Sequence, residues 1–445
     1  MNCSLNPNLG VEMYEWVKEL YPICRSITGD GFRKSLTILQ KLLREIKVYE
    51  VGSGTACFDW AVPHEWNIRE AYVIDPRGQK VIDFKVSNLH VLNYSEPVHK
   101  KISLNELNEH LYSLPELPNA IPYVTSYYER RWGFCLAHQE RMKLIPGEYE
   151  VYIDSTLKPG SLTYGELIIP GKSSQEIFLS TYLCHPSMAN NELSGPVVTA
   201  FLGRWLHELT QRKYTYRLVF VPETIGSIVY LSRHHQELKK KVYAGFNISC
   251  VGDDRTYSYL PSRKGNTISD RIAQHVLKHV YPDYIYYSFR NRGSDERQYC
   301  SPGIDLPVAS IMRSKYGEYP EYHTSLDDLN LVTPSGLLGA YRALMLSLYC
   351  LEENKILKTQ CYCEPQLGKR GLYSTLGARN SEKSRRDMMD ILAYCDGEHD
   401  LLAIAELINM PLWEILPQVN TLIRHHLLAV PTVENTECQL TTLTS

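Results

Sequence analysis

Several side chains able to ligate a metal or move a proton stand just after apolar runs in this 445-residue chain. His185-Pro186-Ser187 follows IFLSTYLC, and Asn190-Asn191-Glu192-Leu193-Ser194-Gly195 comes next, ahead of a helical pattern. Glu223 follows YRLVFVP, Asp253 and Asp254 follow NISCVG, and Ser294-Asp295-Glu296 precede a Cys/Pro/Gly turn. Tyr322-His323-Thr324 lie beyond LPVASIM and a polar loop. Imidazoles and carboxylates bind transition metals and transfer protons near neutral pH. Ligands of an open α/β sheet bind outside the carboxyl ends of its strands, which gives polar residues there added weight. Each has an ordinary alternative. A lone His at a strand end can be a hydrogen-bonded structural residue, Glu223 an acid at a helix N-terminus, Asn190-Asn191 a turn, and Asp327-Asp328 a solvated loop. Two His and two Glu from three strand ends of one sheet are harder to assign jointly to caps and turns.

Several other chemistries are excluded. HExxH is absent, since His64-Glu65 and His207-Glu208 have no second His at the required spacing, and GxSxG is missing. Gly165 is separated from Gly171-Lys172-Ser173 by five residues, the apolar ELIIP, where a phosphate loop needs four. Gly52-Ser53-Gly54 has Cys57 where a dinucleotide fingerprint needs its third glycine. The 12 cysteines are scattered without a CxxC pair, which excludes a zinc knuckle and a compact disulfide framework. Cys184 and His185 adjoin at an expected strand end, where successive side chains point apart, and are therefore not expected to meet.

The elements that must position these residues follow from periodicity. Residues 11–21 and 32–48 read as helices around the turn-rich CRSITGDG. Residues 49–160 carry short β-like runs such as AYVID, KVIDF and YEVYID and read as a β-rich module. From 161 to about 352, near-continuous apolar strands alternate with helices at 196–209, 228–240 and 268–280 and a long one from about 334, with Thr333 as N-cap and Pro334 in the first turn. That alternation predicts an α/β fold with a mostly parallel sheet covered by helices on both faces. After a loop near 353–383, three helical runs suggest a winged-helix-like module. The expected division is 1–48 with 161–355, an inserted 49–160, and 375–445. The charge balance, 47 Lys+Arg against 50 Asp+Glu, disfavours a polycationic nucleic-acid binder. The N-terminus lacks a signal-peptide pattern and no run of 18 apolar residues occurs, so a soluble cytoplasmic protein with reduced thiols is expected.

The segments PICRSITGDG, STYLCHPSMANNELSG, VPETIGS, CVGDD, GSDERQYC and YHTSLDDL together resemble the zinc aminopeptidase-like superfamily related to the M28 peptidases. Within it, the resemblance is to bacterial aminopeptidase-like proteins carrying DUF4910 and DUF2172 domains, the latter matching the β-rich insertion. It implies His185 and His323 as the first and last metal-ligand histidines and Glu223 as the general base. Departures accompany it: Ser187, Asn191, Thr224 and Ser249 stand where the peptidases carry acids. Asn is a neutral, weak ligand, so one Zn2+ is expected rather than two. Glu192 beside the displaced bridge position completes a His185/Glu192/His323 set, with Asn191, Asp254 and Asp295 as reserve ligands or partners that orient the imidazoles. Arg25 and Arg297 are candidates for a substrate carboxylate or for structural ion pairs. Trp60, Trp66, Trp132 and Tyr127-Tyr128 are candidate pocket walls or core.

The implied activity is hydrolysis of an amide in a peptide, aminoacyl or N-acyl sugar-type substrate, with surface-polysaccharide biosynthesis as the setting suggested by the family. The competing reading is a degenerate fold that binds an aminoacyl or sugar ligand without hydrolysis. A DNA-binding role for residues 384–432 is disfavoured, because PLWEILPQVNTLIRHH offers Arg424 as its only strong base. The expected partners are a small molecule or short peptide and, for the C-terminal module, another copy of the chain, with neither nucleic acid nor membrane.

Overall fold

The computed structural model describes residue 6, residues 8–372 and residues 379–431, and within these the chain divides into two compact units, Met1–Met345 and Leu346–Ser445. Cys3, Cys438 and the boundary expected at 375 lie outside the described residues.

The first unit is built on an eight-stranded sheet in the order 47–52, 161–169, 215–221, 176–182, 242–247, 308–312, 258–260 and 285–286. Its four central strands, Thr215–Val221, Glu176–Tyr182, Val242–Asn247 and Val308–Met312, are mutually parallel. Lys47–Gly52 and Ser161–Ile169 extend one margin antiparallel, and Ser258–Leu260 pairs antiparallel at the other. Every residue of Glu176–Tyr182 and of Val308–Met312 is buried, as expected for strands covered on both faces. Charges inside this sheet are paired: Arg217 reaches Glu176 and Glu166 at 2.6 Å each, near the amino ends of the strands.

The parallel strands feed helices whose starts decide where functional side chains emerge. Ser194–Glu208 begins beside the end of Val242–Asn247, and a Cβ on Gly195 would stand 2.3 Å from the Ile248 carbonyl, so only glycine permits this approach. Thr267 and Asp270 form a capping box on Ile268–Val280. Thr333 caps Pro334–Glu353 by accepting the Gly336 N–H at 2.9 Å. The second helical run of the sequence stops early: Asp30–Leu39 is helix, turns follow, and Lys47 opens an edge strand.

Residues between the first two strands form a four-stranded antiparallel sheet of Lys80–Asp83, Glu65–Ile74, Glu148–Lys158 and Val98–Ser103. Alternate residues of Glu148–Lys158 are buried in a core with Ala71, Val73, Ile82 and Phe134, against which Trp132 packs. Trp66 is also core, its indole N–H donating to the Ser95 carbonyl at 2.9 Å.

The second unit holds a three-stranded sheet of Ile356–Thr359, Asp396–Asp400 and Leu428–Ala429 with helices Arg379–Tyr394, Leu401–Leu407 and Leu412–Arg424. Its first strand lies inside the stretch that periodicity reads as loop, because four residues are too few to display a pattern. Leu412, Ile415, Leu416, Val419 and Leu422 form the buried stripe of the last helix. Among the described residues no helix is long and apolar enough to cross a membrane.

Candidate active site

The loops after three of the four parallel strands meet at His185, which follows Glu176–Tyr182 and is joined by Glu223 after Thr215–Val221 and His323 after Val308–Met312. The strand Glu176–Tyr182 ends two residues before Cys184, and the chain then turns into a π-helical turn, Ala189–Leu193, before the next helix. That turn brings Glu192 back onto His185. One Glu192 oxygen contacts the His185 Nδ1 directly, and the other accepts the Cys184 N–H at 2.7 Å. The opposite ring nitrogen, Nε2, faces Glu223 at 3.5 Å. The His323 ring lies 5.1 Å from that of His185, and its Nε2 is buried with no hydrogen-bond partner among the described residues.

Cys184 corrects the sequence expectation. Its Sγ lies 3.3 Å from Nδ1 of His185 and accepts the Glu223 N–H at 3.2 Å. Alternation of side chains holds only while the backbone is extended, and the strand has already ended. Thiol, imidazole and carboxylate donor atoms of Cys184, His185 and Glu192 all lie within 4.8 Å of one another. This arrangement is not a nucleophile triad. A triad places nucleophile and orienting carboxylate on opposite nitrogens of the imidazole base, whereas Cys184 and Glu192 crowd the same one. Burial, then Glu192, pushes the thiol well above its ordinary range, so without a metal it stays protonated.

Electrostatics sharpen these roles. Burial opposes a charge on His185, but Glu192 and Glu223 outweigh it and hold the ring above its ordinary value. Burial raises Glu223, and Glu192 adds to the shift against the pull of His185. Burial, then the His185 charge, drives His323 well below its ordinary value, leaving it a neutral donor of lone-pair electrons. Asp295 accepts the Thr224 N–H at 2.7 Å and the Ser227 hydroxyl at 2.8 Å, while its second oxygen is buried without a partner. Burial, then Glu223, pushes its carboxyl up to about 8. Ser187, Thr224, Cys250 and His323 all adopt positive φ, between 45° and 62°. Such conformations cost non-glycine residues about 1–3 kcal/mol each and gather at functional sites.

The remaining expected residues divide. Arg297 donates to the Thr224 hydroxyl at 2.6 Å, beside Glu223. Arg25 is fully buried and donates to the carbonyls of Leu20 at 2.7 Å and His185 at 3.0 Å. These bonds make it a support for the His185 backbone, the structural one of its two expected roles, while its Nη2 is buried without a hydrogen-bond partner among the described residues. The Asn191 oxygen is already engaged by the Tyr182 hydroxyl at 2.8 Å. Asp254 does not join the group: its side chain is 45% exposed and accepts the hydroxyls of Thr333 and Ser335 at a helix N-terminus. The solvated loop expected at Asp327-Asp328 is also corrected. Asp327 is fully buried and accepts the N–H groups of Asn190 and Asn191 at 2.6 and 3.0 Å and the Tyr319 hydroxyl at 2.8 Å. It fixes the turn that carries Glu192, a role no spacing rule reveals.

The inserted segment closes the site. The Tyr123 N–H donates to the His323 carbonyl at 2.9 Å, and the Tyr123 ring lies 4.7 Å from the His185 ring and 5.2 Å from the His323 ring. The Tyr123 and Tyr127 hydroxyls are in direct contact. A cavity of about 160 Å³ is lined by Trp60, Tyr127 and Tyr128 on one side and Cys184, His185 and Glu223 on the other. Among the described residues, buried donors of N, O and S type with a partnerless imidazole suit a single zinc.

Comparison with solved structures defines the class. The fold is that of the zinc aminopeptidases: the chain superposes on the zinc aminopeptidase BSAP from Bacillus subtilis with a TM-score of 0.56 at 13% identity, covering 76% of this chain and 94% of that one. A Peptidase M28 precursor from Shewanella amazonensis gives 0.55 at 12% identity, over 80% of this chain and 97% of that one. The chain belongs to the family described as Domain of unknown function (DUF4910), matched over residues 14–354, followed by a winged helix-turn-helix domain over 355–430. A Clostridium acetobutylicum protein named for polysaccharide biosynthesis and an aminopeptidase-like domain is 45% identical over 421 residues, 94% of this chain and 96% of its own length. A crystal structure named as a peptidase from the same organism superposes with a TM-score of 0.90 at 44% identity, over 96% of this chain and 97% of that one.

Proposed function

We propose that this protein is a metal-dependent amide hydrolase of the aminopeptidase type, holding one zinc through His185, Glu192 and His323 with Cys184 as a further donor. The observation that carries this reading is the position of His185, with one ring nitrogen on Glu192 and the other facing Glu223, beside the partnerless Nε2 of His323. Zinc supplies Lewis acidity at such a site, polarising a carbonyl and acidifying water. Glu223 accepts the proton of the attacking water and delivers it to the leaving amine, and its raised pKa suits both transfers. Asp295 fixes the turn after Glu223 through the Thr224 N–H. Tyr123, Tyr127, Tyr128 and Trp60 exclude bulk water from the cavity.

The name of the Clostridium relative supports a setting in polysaccharide biosynthesis; in this reading the substrate is of peptide, aminoacyl or N-acyl sugar type and is handled in the cytoplasm without nucleic acid or membrane. In this reading the C-terminal winged helix serves structure or self-association. Metal counting by plasma mass spectrometry, with diffraction at the zinc edge, tests the proposal. The expected result is about one zinc per chain, removed by chelator together with hydrolysis of an aminoacyl p-nitroanilide panel. Absence of stoichiometric zinc, with ligand binding indifferent to chelator, identifies instead a binding protein without hydrolysis.

A further inference from the structure

A larger cleft, of about 420 Å³, adjoins the catalytic cavity, and Trp60 belongs to the walls of both. Ile228 and Leu231 line it from the helix Ile225–Lys241, which starts two residues after Glu223. The hairpin of Ala56–Cys57 and Trp60–Ala61, with Phe58 in its turn, contributes Phe58, Asp59 and Trp60 to the same lining. Phe58 is 56% and Trp60 40% exposed, large aromatic faces left open to water. Phe58 takes a φ of 56°, a costly conformation for a bulky side chain. Its ring is steadied edge-on by His235 at 5.5 Å, and that of Trp60 by Tyr128 at 5.5 Å.

The polar lining selects among ligands. Asp59 and Gln298 line the cleft, and among the described residues neither side chain has a hydrogen-bond partner. The lining contains no Lys or Arg among those residues; its one basic side chain is His235, engaged with the Phe58 ring, and the nearby Lys239 ammonium is tied to the Gly303 carbonyl at 2.6 Å, so Asp59 disfavours a phosphate or carboxylate group there. A wholly apolar side chain strips Asp59 and Gln298 of water and returns no hydrogen bond. A pyranose ring matches both features, with C–H groups for the aromatic faces and hydroxyls that donate to a carboxylate and accept from an amide.

We propose that this cleft binds a neutral glycosyl unit of the substrate, laid on Trp60 and Phe58 and hydrogen-bonded by Asp59 and Gln298. Its link to the amide that Glu223 attacks rests on the hydrolase reading; the sugar site itself does not.

Saturation-transfer difference NMR on the full chain tests this with methyl β-glucoside, the methyl glycoside of N-acetylglucosamine, and leucinamide as probes. The glycosides are expected to receive saturation from wild-type protein, from chelated protein and from Glu223→Gln alike, which separates this site from the fate of the hydrolase reading. Trp60→Ala is expected to abolish the signal. Asp59→Asn is expected to weaken binding about tenfold, and because Asp59 is exposed this variant keeps the test open if Trp60→Ala does not fold. Silent glycosides, preferential binding of leucinamide, or glycoside binding undiminished in both variants overturns the proposal.

Discussion

Glu223→Gln separates the chemistry of the site from its architecture. Glutamine keeps the shape of the side chain, and the backbone N–H of residue 223 reaches the Cys184 sulfur at 3.2 Å whichever side chain follows it. The contacts that hold His185, from Glu192 and from Arg25 to its carbonyl, are untouched. Zinc content is therefore expected to equal that of wild type. A positioned general base contributes about 100- to 10,000-fold, or about 3–5 kcal/mol at 1.36 kcal/mol per decade. With Glu223 only 3.5 Å from His185, the expected loss in kcat is about 1,000-fold. Initial rates on aminoacyl p-nitroanilides, with zinc counted on the same samples, measure it. Burial and Glu192, against the pull of His185, raise the Glu223 carboxyl above its ordinary value in the metal-free protein, and the acid limb of kcat/KM that this base sets should vanish in the variant. Stability gives a second readout in chelated protein. A raised folded pKa means that the folded state holds the proton more tightly, so wild type is favoured below 4.5 and loses stability as pH climbs through the raised value. The variant lacks this slope, and the Tm of wild type relative to it should fall with pH. A Gln variant that keeps its zinc and full turnover refutes the assignment of the base.

Arg25→Met leaves the buried carbonyls of Leu20 and His185 without donors and removes a cation facing Glu192; a loss of about 3–5 kcal/mol is expected in urea unfolding. An unchanged midpoint excludes Arg25 as the support of the His185 backbone. Asp327→Ala frees the buried N–H groups of Asn190 and Asn191, and zinc affinity measured against a chromogenic chelator is expected to fall at least about tenfold. Unaltered affinity shows that the Ala189–Leu193 turn holds its shape without that carboxylate.

The sheet domain was legible because long buried strands and amphipathic helices leave strong periodic signals. Glu176–Tyr182 and Thr215–Val221 are apolar runs that end in polar loops, a pattern that by itself puts His185 and Glu223 at strand ends. The clearest failures fall where the backbone leaves regular structure. Cys184 and His185 meet because the strand stops at Tyr182, and no periodicity reports where the extended conformation ends. Asp327 looks like half of an acidic surface pair until the distant turn at 189–191 folds over it.

The amino-acid sequence determined by itself the layered α/β class, the identity of the polar side chains at the strand ends and the absence of the common nucleotide and protease motifs, all of which depend on local pattern. Tertiary structure alone decided that Asp254 belongs to a helix cap, that Arg25 supports a carbonyl, and that Tyr123 from a loop of the inserted segment lies against both histidine rings. Those outcomes depend on which distant groups satisfy one another's hydrogen bonds once water is excluded, and residue spacing along a chain carries no record of that competition.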